Sequence, residues 1–236
     1  MSQTLYRSPW IFTAPVVAIL LGHFIVDTYS SIVAPLIGVI ETQYQMAPEW
    51  SAILLGSGSL FSGLSQPIFA WISDRTGTRI YGAVGILLGA IGIGLIGYSA
   101  NVPAVFGMFA LGMIGIGMFH PIATARIGAI AGDQRGFALS LFFVFGMAGF
   151  FSGSLLGPRL VTYTQTLTSL AYLIIPGVLI AIFFQSTINR KATGSVEKKI
   201  LKPHLLSDYD WLSIGCLLYT SPSPRDATLS RMPSSA

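Results

Sequence analysis

The sequence predicts an all-α membrane protein: a bundle of six spanning helices followed by the start of a seventh. Three observations predict it. The chain is 53% hydrophobic and only 9% charged, where soluble domains carry about 25% charge. Its mean hydropathy is +0.70. Six apolar runs, roughly 13–36, 51–72, 80–99, 103–125, 137–161 and 168–188, each approach the about 20 residues that a spanning helix needs. The 26 glycines fit the same class, because small residues let membrane helices approach closely.

The first span, from Thr13 to Leu36, carries the costliest residues. His23 and Asp27 interrupt its apolar run. An ionisable side chain at bilayer depth costs roughly 3 kcal/mol on insertion scales and is usually functional. A spacing of four puts both on one helical face. They lie within about three residues of the centre of the span, roughly 4 Å along the axis. Tyr29, Ser30 and Ser31 follow on the same helix. Their hydroxyls either line a cavity or bond back to their own helix.

The second span holds Gln66 and ends before Ser73-Asp74-Arg75-Thr76-Gly77-Thr78-Arg79, read as a loop. The third span is apolar throughout. The fourth contains Phe119-His120-Pro121, and its methionines Met108, Met113 and Met118 read as packing. By depth, Gln66 and His120 sit about a turn or two toward the cytoplasm from Asp27, at an inner mouth of the cavity. Substrate sites of transporters built from repeated halves lie near the midplane. The fifth span carries Gly149, Gly153, Gly157 and Pro158, a small-residue stripe ending at a proline that frees a carbonyl and permits a bend. Its phenylalanines Phe142, Phe143, Phe145, Phe150 and Phe151 face either lipid, the favoured reading, or an apolar drug pocket.

Basic residues orient the bundle. Arg7, Arg75, Arg79, Arg126, Arg135, Arg190, Lys191, Lys198, Lys199 and Lys202 fall on one side, against Arg159 on the other, with Glu41 and Glu49 in the first outer loop. The amino terminus and the basic loop 189–210 are therefore expected in the cytoplasm. These charges flank spans, so the net charge of +4 reflects topology and not nucleic-acid binding. No cleavable amino-terminal signal is read, so the first span is expected to be retained.

From Cys216 onward the sequence resembles a translated sequencing-library adapter. CLLYTSPSPRD and SRMPSSA match two adapter blocks in frame, and Ala227-Thr228-Leu229 between them leaves room for an index. Such segments are set aside in fold reasoning. The domain expectation is thus a six-helix bundle over 1–188, a cytoplasmic loop over 189–210, a seventh helix opening at 211–215 and a non-native tail over 216–236. Without Cys216 the rest of the chain has no cysteine, which leaves no disulfide or thiol chemistry.

Asp74, Arg75, Gly77 and Arg79 resemble the D-R-x-G-x-R loop of the major facilitator superfamily, with Ala70 standing where the family pattern has glycine. That resemblance implies a twelve-helix fold, of which this chain holds the amino-terminal half, and a gating role for the loop. The Gly149–Pro158 stripe is similar to the helix-five motif of the family's antiporters. GHFIVDTYSS, Gln66-Pro67, FHP and RGFALSLFFVFGMAGFFSGSLLGP together look like the fosmidomycin-resistance branch. Its members are drug exporters of the bacterial inner membrane driven by inward proton flow. That branch often carries an acid directly after FHP, where this chain has Ile122, so proton coupling falls to Asp27, with His23 tuning it. As half of such a transporter, the chain by itself is not expected to transport.

The implied function is proton-coupled export of a small molecule. An importer of the same fold, or a non-transporting sensor or assembly protein, uses the same residues, and in either case Asp27 can be a plain interhelical hydrogen-bond acceptor. There is no phosphate-binding G-x-x-x-x-G-K-[ST] loop, no metal-ligand spacing and no hydrolase motif, so the sequence predicts neither a primary pump, a metal centre nor an enzyme. The expected partners are substrate, protons and the lipid bilayer, with the proton gradient as the only energy source and no cofactor.

Overall fold

The computed structural model describes residues 10–76 and 80–188. These residues are helical, in the order α1 (Ala14–Ile32), α2 (Ile37–Tyr44), α3 (Pro48–Thr76), α4 (Ile80–Gly94), α5 (Val102–Ala131), α6 (Arg135–Thr164) and α7 (Ile174–Ile188), joined by short 3-10 turns. Each of the six apolar segments falls on one of these helical stretches. The loop 189–210, the residues 211–215 and the tail 216–236 lie outside the described residues.

α3, α5 and α6 overrun their apolar segments because backbone hydrogen bonding continues past the first charge. It stops only where a residue breaks it. Pro35 turns the chain after α1, but α2 resumes at Ile37 and runs to Tyr44, ending at Gln45 with φ 50°. Glu41 is therefore helical, and Glu49 stands in the first turn of α3, which leaves a shorter outer loop than expected. α3 extends through Ser73, Asp74 and Arg75 to Thr76, so the first half of the expected gating loop is helix. Asn101 caps α5 by accepting from the Ala104 amide at 3.0 Å. Gly132, with φ +54°, turns α5 into α6. That position favours glycine because an L side chain is strained there.

Among the described residues, four helical runs are long and apolar enough to cross a membrane: Ala14–Tyr44, Pro48–Thr76, Val102–Thr164 and Leu167–Ile188. The third is two helices folded back at Gly132. α4 is apolar but has 15 residues, or about 22 Å of helix. α1 is buried along most of its length against α4, α5, α6 and α7, whereas α3 leans mainly on α5. The exterior is apolar, with Leu60, Leu64 and Ile68 on α3, Phe143 and Phe151 on α6, and Ile175 and Leu179 on α7 all exposed. Water does not tolerate so continuous an apolar surface; a bilayer does.

α4 and α5 meet backbone to backbone. A Cβ added at Gly115 would lie 2.6 Å from Leu88 Cβ and 2.7 Å from the Gly85 carbonyl oxygen. Backbone cannot move aside as a flexible side chain does. Gly115→Val should therefore lower the thermal unfolding midpoint in detergent, at an overpacking cost of about 1–3 kcal/mol. Gly107→Ala, where nothing lies within 4 Å, should leave the midpoint unchanged or slightly raised.

Candidate functional site

The polar centre of the described residues is built by three helices. α1 supplies His23 and Asp27 one turn apart, with His23 Nε2 3.2 Å from Asp27 Oδ2. α5 supplies His120, whose Nε2 lies 3.3 Å from Asp27 Oδ1. α6 supplies the floor. His23 stacks on Phe142 with ring centroids 3.6 Å apart, and its Nδ1 lies 2.7 Å from the Phe142 carbonyl. One carboxylate is thus held between two imidazoles, whose rings meet edge to face at 5.0 Å.

The ring nitrogens have assigned roles. A carbonyl oxygen only accepts, so His23 Nδ1–H donates to Phe142 O, and His120 Nδ1–H donates to Ile116 O at 2.7 Å. Both Nε2 atoms are left facing Asp27. If either imidazole is neutral, its Nε2 lone pair points at a carboxylate oxygen, an arrangement stable only with a cation or proton between them. The side chain of His23 is 4% exposed, whereas those of Asp27 and His120 are 20% and 23% exposed. The cluster is closed behind His23 and open beside Asp27 and His120.

The glycines of α6 make this geometry possible. Gly149 and Gly153 press on the Phe24 and Thr28 backbone of α1, and Gly157 on Ile32. Gly146 lies under the site itself: a Cβ there would sit 2.6 Å from Asp27 Oδ2 and 2.7 Å from His23 Nε2. Thr28 fastens the seam, its hydroxyl reaching Phe24 O at 2.8 Å and Gly149 O at 3.2 Å. α6 is continuous through Pro158.

Several sequence expectations change here. His120 does not stand off at an inner mouth. Side chains tilt toward their helix's amino terminus, and the bond to Ile116 draws the His120 ring back onto Asp27. Tyr29 does not line a cavity: it is fully buried and donates to Leu173 O at 2.7 Å, tying α1 to the start of α7. Ser30 and Ser31 bond back to Asp27 O and Thr28 O, and Ser31 is buried against Gly153. Gln66 is exposed on α3, a helix that packs mainly on α5. Phe142 faces His23 and not lipid. Ile122 is buried in the core.

Asp74 and Arg75 are exposed on the last turn of α3, and the Arg75 guanidinium lies 4.1 Å from the Trp71 ring centroid. Gly77 and Arg79 lie outside the described residues. The sequence has no metal-ligand spacing, yet the fold draws together one group of that type, His23, Asp27 and His120, with ligand atoms within 4.8 Å of one another.

The Major Facilitator Superfamily profile matches residues 19–221. The chain belongs to the major facilitator superfamily. It is therefore an integral membrane protein of a family of secondary transporters. No curated protein matches the chain. The match covers α1 to α7 with the whole His23–Asp27–His120 cluster, and it ends five residues past Cys216. In a transporter superfamily, an ionisable cluster within a span has a functional reading by default.

Two substitutions test the geometry. Gly146→Ala should lower the thermal midpoint in detergent, because its methyl group must displace His23 or Asp27, while Gly136→Ala, with nothing within 4 Å, should not. Tyr29→Phe leaves the Leu173 carbonyl short of a partner and should cost about 1 kcal/mol of stability in the same assay.

Proposed function

We propose that the protein is a proton-coupled exporter of small molecules, similar to the fosmidomycin-resistance drug exporters, with Asp27 as the coupling carboxylate. The observation that carries this reading is the Asp27 carboxylate, held between two imidazoles inside an apolar bundle and partly exposed together with His120. A proton at His120 Nε2 binds α5 to Asp27 of α1, whereas one at His23 Nε2 stays within α1. Loss of the His120 proton sets lone pair against lone pair and weakens the hold of α1 on α5. Proton occupancy is thereby linked to helix contact, which is what alternating access requires of a coupling site.

In this reading His23, walled in by Phe142, orients the carboxylate, and His120 shares the proton and meets substrate. Tyr29 and Ser31 support the cluster from behind, with Ser30 half-buried beside it. Gln66, exposed on α3, lines the substrate path. The motif residues Asp74, Arg75, Gly77 and Arg79 gate the cytoplasmic side. The Gly149–Gly153–Gly157–Pro158 stripe, as in antiporters of the superfamily, lets α1 and α6 move as one. The proton gradient supplies the energy, without a cofactor. The membrane is the bacterial inner membrane, with the amino terminus in the cytoplasm. The residues from Cys216 are adapter-derived; sequencing the gene directly from genomic DNA tests that point.

The complete gene, expressed in a drug-sensitive host, should raise tolerance, and the gain should vanish when the proton gradient is dissipated. Asp27→Asn should abolish the gain with the same amount of protein in the membrane. Undiminished tolerance in that variant overturns Asp27 as the coupling group, and substrate accumulating inside the cells indicates uptake instead.

A further inference from the structure

We propose that His23, Asp27 and His120 form a binding site for a divalent first-row transition cation of the Zn2+ or Co2+ class. The inference stands on ligand geometry and goes beyond the transport reading, since it holds for export or import alike. Two imidazole nitrogens and one carboxylate are the donor set that such ions favour, whereas Ca2+ and Mg2+ require a cage of oxygens.

The distances suit one ion. Metal bonds of about 2.1 Å at the tetrahedral angle place their ligand atoms about 3.4 Å apart. His23 Nε2 and His120 Nε2 lie 3.2 and 3.3 Å from the Asp27 oxygens. The whole set falls within 4.8 Å, so one cation gathers it after a side-chain shift of about an ångström. Asp27 and His120 are the partly exposed members and have room for that shift.

The surroundings of the ligands point the same way. Each histidine donates its Nδ1–H to a backbone carbonyl, Phe142 O for His23 and Ile116 O for His120. Metal-binding histidines usually have such a partner, which fixes the tautomer and aims Nε2 at the ion. Here both Nε2 atoms face one carboxylate. His23 is 3% exposed and clamped between Phe142 and Phe119, so one ligand is preset. The open side, beside Asp27 and His120, leaves coordination positions for water or a substrate group. An ion and a proton compete for the same lone pairs, so the site holds one or the other.

The test is a Co2+ titration of the untagged chain in detergent, read by visible d–d absorption. One saturable Co2+ per chain, displaced by Zn2+, is the expected result. Asp27→Asn and His120→Gln should each weaken the dissociation constant about tenfold or more, with the unfolding midpoint reported for both. The double variant His204→Gln/Cys216→Ser removes the two other soft ligands outside the described residues and should bind as wild type does. No saturable signal in the wild type overturns the proposal, as does a signal that survives both triad variants or disappears with the double variant. The transport assay is separate. Proton-dependent tolerance lost in Asp27→Asn without Co2+ binding in the wild type leaves the exporter reading standing and removes the metal site; the opposite pattern does the reverse.

Discussion

The contact between α1 and α6 is the constraint on which the rest of this structure depends. In a bilayer, helices gain little from hiding apolar surface, since lipid is as apolar as leucine; they associate through close packing and interhelical hydrogen bonds. The missing side chains at Gly146, Gly149, Gly153 and Gly157 let the α1 backbone settle directly on α6. Only at that separation can the Phe142 carbonyl receive the His23 ring and the Gly149 carbonyl receive the Thr28 hydroxyl. The apolar seam and the polar cluster are one device.

The cluster has to satisfy itself because little else nearby can. A buried carboxylate without partners is far more costly than an ordinary buried polar group. Asp27 receives one imidazole from its own helix and one from α5, and each imidazole is tied at its far nitrogen to backbone. The tether sets which atom faces the carboxylate, so the chemistry of the site is decided by two carbonyl groups that no sequence motif marks. It also explains why the proposed coupling proton and the proposed metal ion fall at one position. Both are solutions to the same convergence of lone pairs.

Much of the fold was legible in the residues. Runs of apolar side chains located the helices, because a spanning segment must bury its backbone polar groups internally and expose hydrocarbon outward. The helix ends were less legible, since the α3 backbone continues through Ser73–Thr76 although hydropathy falls there. Of the site, His23 and Asp27 were readable as a pair from their cost and spacing. Gly146 was within reach too: it continues the stripe one step back from Gly149, and Phe142 lies four before it. Tyr29 was not readable. A tyrosine next to a polar face has the same sequence appearance whether its hydroxyl meets substrate or, as here, the Leu173 carbonyl of a distant helix.

By itself, then, the sequence determined the membrane class, the apolar helical segments and one acid–histidine pair within a span, all of which follow from local composition and helical periodicity. The tertiary structure alone decided that His120 joins that pair. Residues 27 and 120 are far apart in the chain, and depth along separate helices says nothing of crossing or tilt. Their meeting rests on how α5 leans against α1 and on the backward tilt of a side chain bonded to Ile116, which are properties of packing and not of any single segment.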